Sequence, residues 1–452
     1  GDTSGTNVFA GFYEQQKQTV ESDATTLTYR FQIKAPGGSL QFYRLAVRTV
    51  DGRSGEPGDE PPPPAEATMV NNDRLVMVDR GVGPYRILYV AGRPNWEFKF
   101  LNRALAEDDQ LRLEGLIRIA RREPKFEFKG RSGETSNPLF RGFGNQSADE
   151  IERYDQPVLI PLPIGNEKLR PGFPRSSEEL YGYHAVIVDD LEAEFFKPDQ
   201  LALLQKFVSE RGGGFMMLGG QESFQEGGYD RTPVGNMLPV YLRQVPGMDE
   251  PGGAFGNFRL DLTREGWIQP WARVRSRESD EQARLSALPP MQVLNTVSGI
   301  KPGASVVATV TGANGSQYPA LVVQRYGSGR TASMLIGDFW MTGRRDEQQQ
   351  EDQAKTWRQI ARWLVTDVPE QITIANRLDP LHAGSVQLSV RVRDREFKPM
   401  DGASVKLTVR KVTGEGITNQ IDSIQLTGEP MAAEPGLFTA SYVQHGSGGY
   451  HA

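Results

Sequence analysis

The sequence predicts a chain of three parts, in which a central α/β domain lies between two β-sandwich domains. The first observation is a change near residue 85 from alternating β patterns to apolar runs that are followed by helical patterns. The second is the return to alternating β patterns after residue 369. The third is the high content of glycine and proline, 49 and 30 of 452 residues, which is typical of chains with many turns.

Residues 1–84 are predicted to form the first β-sandwich. Short segments rich in β-branched and aromatic residues alternate there with turn-forming residues. The predicted strands are 7–14, 26–34, 40–50 and 74–80. Four consecutive prolines before the last strand indicate a loop, because proline cannot donate a hydrogen bond inside a sheet.

Residues 85–368 are predicted to form the α/β domain. Near-continuous apolar runs at 86–92, 184–190 and 215–220 are typical of strands covered on both faces. The first two are followed by helical patterns that begin near a proline, which favours a mainly parallel sheet with helices on both faces. The Tyr326-Gly327-Ser328-Gly329-Arg330 segment predicts a hairpin turn between two later strands.

Residues 370–452 are predicted to form the second β-sandwich. The predicted strands are 385–394, 403–412, 423–429 and 437–444. The sequence begins with Gly1 and stops at Ala452 inside a β pattern, so we expect a soluble segment of a longer polypeptide whose last domain is truncated.

Composition excludes several classes of chemistry. A formal charge of −6 argues against a nucleic-acid-binding protein, which usually carries a basic excess. The absence of cysteine removes disulfides, thiolate metal sites and cysteine nucleophiles, and four histidines leave few general bases. No apolar run approaches the ~20 residues that span a bilayer. We therefore predict no cofactor and no metal.

Three segments of the central region resemble one known family. They are ILYVAGRPNWEFKFLNRAL (87–105), GGGFMMLGGQESFQEGGYDRTPVGNMLPV (212–240) and YGSGR (326–330). These segments are similar to the class I glutamine amidotransferase-like domain of large bacterial membrane proteins, and the flanks resemble the immunoglobulin-like modules that accompany it. The resemblance implies a flavodoxin-like domain at 85–368 between two immunoglobulin-like domains. It also implies an extracytoplasmic, periplasmic location.

Active members of this family carry a cysteine nucleophile in a Gly-X-Cys-X-Gly turn, with a histidine base after a late strand. The corresponding turn here is Gly219-Gly220-Gln221-Glu222-Ser223, so glutamine stands at the nucleophile position. The late strand leads into Asp338, with no histidine. Because glutamine cannot attack a carbonyl, the resemblance implies a degenerate site without catalytic residues.

The carboxyl ends of the predicted parallel strands still define a location for a binding crevice. The side chains expected there are Arg93, Asn95, Asp189, Asp190, Gln221, Glu222, Asp338 and Trp340. Its carboxylates could bind a hard cation or a basic peptide, but pairing with arginines and backbone amides is the simpler interpretation. Ser223 and His184 are expected at opposite edges of the sheet, which argues against a substitute catalytic pair.

Two functions follow as hypotheses. The first is a non-catalytic binding or scaffold segment of a membrane-anchored bacterial envelope protein. Its partner would be an unidentified protein or cell-envelope ligand, and the membrane would be reached through other parts of the polypeptide. The alternative is a divergent glutamine amidotransferase or hydrolase that uses a different nucleophile in the same crevice. The missing cysteine and histidine favour the first hypothesis.

Overall fold

A computed structural model of the chain describes most of the central region and parts of both ends. The described residues are 15–18, 27, 29, 31, 40–47, 72–79, 83–120, 157–242, 254–378, 384–412, 423–444 and 449–452. The chain divides into two compact units. One comprises residues 84–373 and 393–399, and the other comprises 1–83, 374–392 and 400–452.

The described N-terminal residues contain one antiparallel pair of strands, β1 (Leu40–Ala46) and β2 (Asp73–Asp79). Leu40 lies opposite Asp79, and the register continues without a break. The predicted strand at 7–14 lies outside the described residues, and the one at 26–34 lies largely outside them.

The larger unit is built on a ten-stranded mixed sheet with the order β10-β9-β12-β13-β14-β7-β6-β3-β4-β5. Strands β8 and β11 pair separately with each other. The bounds are β3 (Tyr85–Ala91), β4 (Leu111–Ala120), β5 (Val158–Leu162), β6 (Ala185–Asp189), β7 (Gly214–Leu218), β8 (Val240–Tyr241), β9 (Ala254–Leu262), β10 (Met291–Leu294), β11 (Gly299–Ile300), β12 (Ser305–Thr311), β13 (Gln317–Tyr326) and β14 (Gly329–Met334).

The sheet consists of a parallel part and an antiparallel part. Strands β4, β3, β6, β7 and β14 are parallel neighbours, and every residue of β6, β7 and β14 is buried. Strands β13, β12, β9 and β10 continue the sheet beyond β14 in antiparallel register, and β5 adds an antiparallel edge beside β4. The turn at 326–329 joins β13 to β14 as a hairpin.

Seven helices accompany this sheet in the described residues. They are α1 (Trp96–Ala106), α2 (Ser177–Leu180), α3 (Pro198–Ser209), α4 (Pro233–Met237), α5 (Arg264–Ile268), α6 (Glu278–Ala287) and α7 (Glu347–Val365). Helix α1 packs against α7, and α3 packs against α4. Asp346 caps the start of helix α7, because its side chain accepts the Gln349 amide at 2.8 Å. The helix buries Trp357 completely in the core.

The C-terminal residues form two small sheets. The first has the order β15-β16-β20-β19 and the second has the order β18-β17-β21. The bounds are β15 (Ile372–Leu378), β16 (Ser385–Val392), β17 (Lys406–Val412), β18 (Ser423–Thr427), β19 (Glu429–Pro430), β20 (Leu437–Val443) and β21 (Gly449–His451). Val390 and Phe438 from the first sheet share a small apolar core with Leu407 from the second.

The predicted fold class, a flavodoxin-like domain between two immunoglobulin-like sandwiches, is wrong. Five of the nine strand pairings in the large sheet are antiparallel, so the sheet is mixed and not mainly parallel. The apolar runs indicate burial, but burial does not specify how many antiparallel strands extend a sheet. Residues 254–262 and 291–294, for which no strand is predicted above, supply two of these strands.

No helix in the described ranges combines the length and the apolar character needed to cross a bilayer.

Candidate functional site

The carboxyl ends of the parallel strands meet in one cross-strand row. Ala91 of β3 lies beside Asp189 of β6, Asp189 lies beside Leu218 of β7, and Leu218 lies beside Met334 of β14. The segments that follow these residues therefore leave the sheet at the same edge. All of the predicted site residues are in these segments or at their starts.

Asp190 and Arg93 link two of these segments. The Arg93 guanidinium forms an ion pair with Asp190 and lies 3.4 Å from the Gln221 Oε1 atom. The second Asp190 oxygen accepts the Glu222 backbone amide at 2.8 Å. Asp190 has a φ of 45°, a left-handed conformation that is uncommon outside glycine, although aspartate adopts it more often than most residues. The two bonds to its carboxylate hold this conformation in place.

Asp189, the residue before Asp190, is buried. Its Oδ2 atom accepts the Tyr89 hydroxyl, and it accepts the Asn95 amide at 2.7 Å. Asn95 also caps α1, because its Oδ1 atom accepts the Phe98 amide at 2.9 Å. Burial raises the pKa of Asp189 to about 7, although the bonds from Tyr89 and Asn95 act in the opposite direction.

Glu97 and Asp338 are a second pair of buried acids at this edge. Glu97 accepts the Trp340 backbone amide at 2.8 Å, and Asp338 accepts the Gln292 backbone amide at 2.7 Å. The other carboxylate oxygen of each has no hydrogen-bond partner in the described part of the chain. Burial raises the pKa of both groups, and the charges of Asp189 and Asp338 raise that of Glu97 further.

Arg118 supports the edge from β4. Its side chain is only 5 % exposed and binds Glu192 through two bonds, one of them 2.8 Å long. It also contacts Glu222 at 3.3 Å and donates to the Gly92 carbonyl at 3.0 Å. Burial alone would lower the pKa of Arg118, but the bonds and charges of Glu192 and Glu222 raise it. Arg118 is therefore a charged anchor that joins three segments of the edge.

The predicted nucleophile turn has a different geometry from a catalytic elbow. Neither Gly219 nor Gly220 has a positive φ. They are needed for close approach, because a Cβ on Gly220 would lie 2.5 Å from an Asp190 oxygen. The Asn295 side chain exchanges two hydrogen bonds with the Gly220 backbone, at 3.0 and 2.9 Å. The chain then continues through turns to α4, with Gln221 exposed.

No nucleophile and base meet among the described residues of this turn. Ser223 is 1 % exposed, and its hydroxyl has no hydrogen-bond partner in the described ranges. His184 precedes β6 at the opposite end of the strands. Its Nδ1 atom accepts the Arg86 backbone amide at 2.9 Å, and its Nε2 atom lies 3.0 Å from Glu370. Both ring nitrogens are thus engaged away from Ser223.

Trp340 lies at the exposed side of the edge. Its ring stacks on Trp96 with centroids 5.8 Å apart, and the Arg344 guanidinium lies 5.8 Å from the Trp340 ring centroid. Arg344 thus contacts an aromatic ring. Trp96 remains 51 % exposed.

Four residues of the edge are missing from the predicted set: Glu97, Arg118, Glu192 and Asn295. Arg118 could have been predicted from the sequence, because it is a charged residue in the mainly apolar second half of the segment LRLEGLIRIA (111–120). A charge in a buried strand must be paired. Asn295 gives no such signal, since its role depends on a contact with a turn distant in sequence.

The described residues contain no group of three or more His, Asp or Glu side chains placed to hold a metal.

We expect calcium or magnesium at about 5 mM to leave the melting temperature unchanged, because a cation that does not bind cannot stabilise the folded state. The Oδ2 atom of Asp189 and both carboxylate oxygens of Asp190 already accept bonds, and raised pKa values disfavour the charged form of Glu97 and Asp338. A calcium-dependent rise that disappears in both Asp189→Ala and Asp338→Ala protein would contradict this prediction.

The similarities of this chain to known proteins are weak and are seen in structure alone. No protein-family model matches the sequence, and none of the curated proteins compared with it matches. A cytoplasmic protein from Salmonella typhimurium is similar over 62 % of this chain and 98 % of its own, with 15 % identity and a TM-score of 0.38. A β-galactosidase from Rahnella sp. R3 is similar over 58 % of this chain and 33 % of its own, with 16 % identity and a TM-score of 0.24.

A β-galactosidase from Bacillus circulans sp. alkalophilus gives 13 % identity, the same two coverages and a TM-score of 0.23. The matched part thus amounts to about a third of each of these two β-galactosidases.

Proposed function

We propose that this chain is a non-catalytic binding or scaffold segment of a membrane-anchored bacterial envelope protein. The observation that carries the proposal concerns the predicted nucleophile turn, where Gln221 replaces the expected cysteine and the Ser223 hydroxyl has no hydrogen-bonded base among the described residues. Activation of a hydroxyl requires an adjacent base within hydrogen-bond reach. His184, the histidine closest to Ser223 in sequence, is bonded to Arg86 and Glu370 instead.

The bonding of the edge supports the same proposal. Asp190 is satisfied by Arg93 and a backbone amide, and Arg118 is bonded to Glu192 and Glu222. Groups held in this way stabilise the arrangement of three segments. A scaffold needs such a fixed surface, whereas acid–base catalysis needs a group that can exchange a proton with substrate.

The partner and the location are part of the proposal. The resemblance to modules of large bacterial membrane proteins supports a periplasmic location, with membrane attachment outside residues 1–452. The partner would be a protein or a cell-envelope ligand. The stacked pair Trp96 and Trp340 is the exposed apolar surface of the edge that such a partner would cover.

We expect the purified protein to release no ammonia from glutamine above a buffer blank, and to hydrolyse no p-nitrophenyl acetate beyond the background. The reason is the absence of an activated nucleophile in the turn. A coupled glutamate dehydrogenase assay and absorbance of p-nitrophenolate measure the two activities.

Gln221→Ala and Ser223→Ala proteins are the matched controls, and they should give the same traces as the unaltered protein. Turnover that either substitution abolishes would contradict the scaffold proposal. It would support the alternative, a divergent amidotransferase or hydrolase.

A further inference from the structure

A cavity of about 370 Å³ lies between the antiparallel part of the large sheet and helices α6 and α7. Its floor is a cross-strand row on one face of the sheet, in which Leu262 pairs with Ala308, Ala308 with Leu321, and Leu321 with Met334. Directly paired residues point to the same face. The methyl side chain of Ala308 in the middle of this row leaves space above the sheet.

The walls are also mainly apolar. They include Leu285 of α6, Ile360 of α7, Phe339 and Trp271. The volume is within the range of sites that bind small molecules, about 300–1,000 Å³. Ordered water needs two to four polar partners, and the floor row provides none. The chemistry of the floor therefore matches the apolar body of a ligand.

The two arginines around the cavity are already paired within the protein, and the exposed Asp280 and Asp346 accept the Ser279 hydroxyl and the Gln349 amide. Arg275 binds Asp352 at 2.8 Å, and Arg284 binds Glu281 at 2.6 Å. Glu281 is fully buried and also accepts the Arg275 backbone amide at 2.9 Å. A charged ligand would have to displace one of these partners and leave a buried charge without compensation, which is costly. The lining therefore favours an uncharged ligand.

The lining also includes a buried polar atom that lacks a partner. The Gln349 side chain lines the cavity, and its Oε1 atom is buried without a hydrogen-bond partner in the described residues. An amide oxygen accepts N–H or O–H donors, and leaving it unsatisfied is unfavourable. We propose that this cavity binds an uncharged, largely apolar small molecule that donates one hydrogen bond to Gln349.

This inference goes beyond the proposed function, since the scaffold proposal concerns the turn at Gln221 and the edge around it. Failure of ligand binding would leave the glutamine and ester assays unaffected. Conversely, turnover in those assays would leave the cavity measurement unaffected.

The test uses N-phenyl-1-naphthylamine, a neutral apolar fluorophore with one N–H donor. We expect a saturable rise in its fluorescence with one site per chain. Decan-1-ol should displace it, whereas decanoate and decylamine, which are charged at pH 7, should be at least about tenfold weaker competitors, because a charge loses its hydration on entry. Absence of saturable binding, or equal competition by a charged analogue, would overturn the proposal.

Substitutions localise the binding. Ala308→Leu fills the space above the middle of the floor. Ala287→Phe also reduces the cavity volume, and because Ala287 is exposed, this substitution should not impair folding. Each should weaken binding at least about tenfold if the fluorophore occupies the cavity.

A further substitution tests the hydrogen bond. Gln349→Leu should weaken binding of decan-1-ol but not of methyl decanoate, which has no hydrogen-bond donor. Gln350→Leu, one position along the same helix and outside this lining, should leave both unchanged.

Unchanged binding in Ala287→Phe protein would show that the fluorophore adsorbs elsewhere and would refute the proposal. Equal losses for both competitors in Gln349→Leu protein would refute the role of the amide as acceptor.

Discussion

Replacement of Arg118 by methionine is expected to lower the free energy of unfolding by about 3–5 kcal/mol, the usual cost of breaking a buried ion pair from one side. Methionine retains much of the apolar stem, so the loss arises mainly from the charges left behind. Glu192 would keep its half-buried position without its two bonds, and the Gly92 carbonyl would lose its donor. Urea unfolding followed by circular dichroism measures the change.

Arg112→Met is the matched control, because Arg112 lies on the same strand, is 60 % exposed and is 3.8 Å from Glu114. An exposed pair contributes about 0–1 kcal/mol, so its removal should have little effect. The double variant Arg118→Met/Glu192→Gln should be less destabilised than the sum of its single variants, because the uncompensated carboxylate is gone. A loss at Arg118 no larger than that at Arg112 would show that Arg118 does not anchor the edge.

Replacement of Asp189 by asparagine should change how stability depends on pH. The pKa of Asp189 in the folded protein is about 7, above its ordinary value of 3.8, so the folded state binds more protons between these values. This group therefore contributes stability that is fully present below about pH 3.8 and is lost as the pH rises through 7. The total corresponds to roughly 4 kcal/mol at most, at 1.36 kcal/mol for each pH unit.

The measurement is the difference in unfolding free energy between Asp189→Asn and unaltered protein from about pH 4 to pH 8. We expect the variant to gain stability relative to the unaltered protein as the pH rises. Tyr89→Phe removes a hydrogen bond that lowers the pKa of Asp189. In protein with this substitution, the loss of stability that comes from Asp189 should therefore occur at higher pH. A difference that is constant across this range would mean that Asp189 does not titrate there.

The sequence predicts local elements better than their assembly. The apolar runs at 86–92, 184–190 and 215–220 coincide with β3, β6 and β7, because burial on both faces leaves a continuous apolar pattern. The hairpin at 326–330 is equally local. Whether β9, β10 and β12 extend the same sheet depends on pairing between distant segments. Periodicity contains no information about such pairing, and the predicted fold class failed at this step.

The same distinction applies to the site. Asp189 and Asp190 follow an apolar run directly, so their position at the end of a buried strand could be deduced from sequence. Their hydrogen-bond partners could not be deduced, because Tyr89 and Glu222 belong to other segments. The need for Gly220 could not be deduced from the sequence either. Its missing side chain makes room for an Asp190 oxygen, which is a tertiary contact and not a property of the turn.

The position of β14 has a consequence for how the chain folds. This strand lies where the parallel part of the sheet meets the antiparallel part. It is parallel to β7 on one side and antiparallel to β13 on the other. Its pairing with β13 needs only a short turn, whereas its pairing with β7 joins Met334 to Leu218 and requires closure of a long loop. Nonlocal pairings of this kind slow folding. During synthesis, β7 therefore emerges with one row of backbone groups unpaired and remains an open sheet edge, prone to self-association, until the late hairpin covers it.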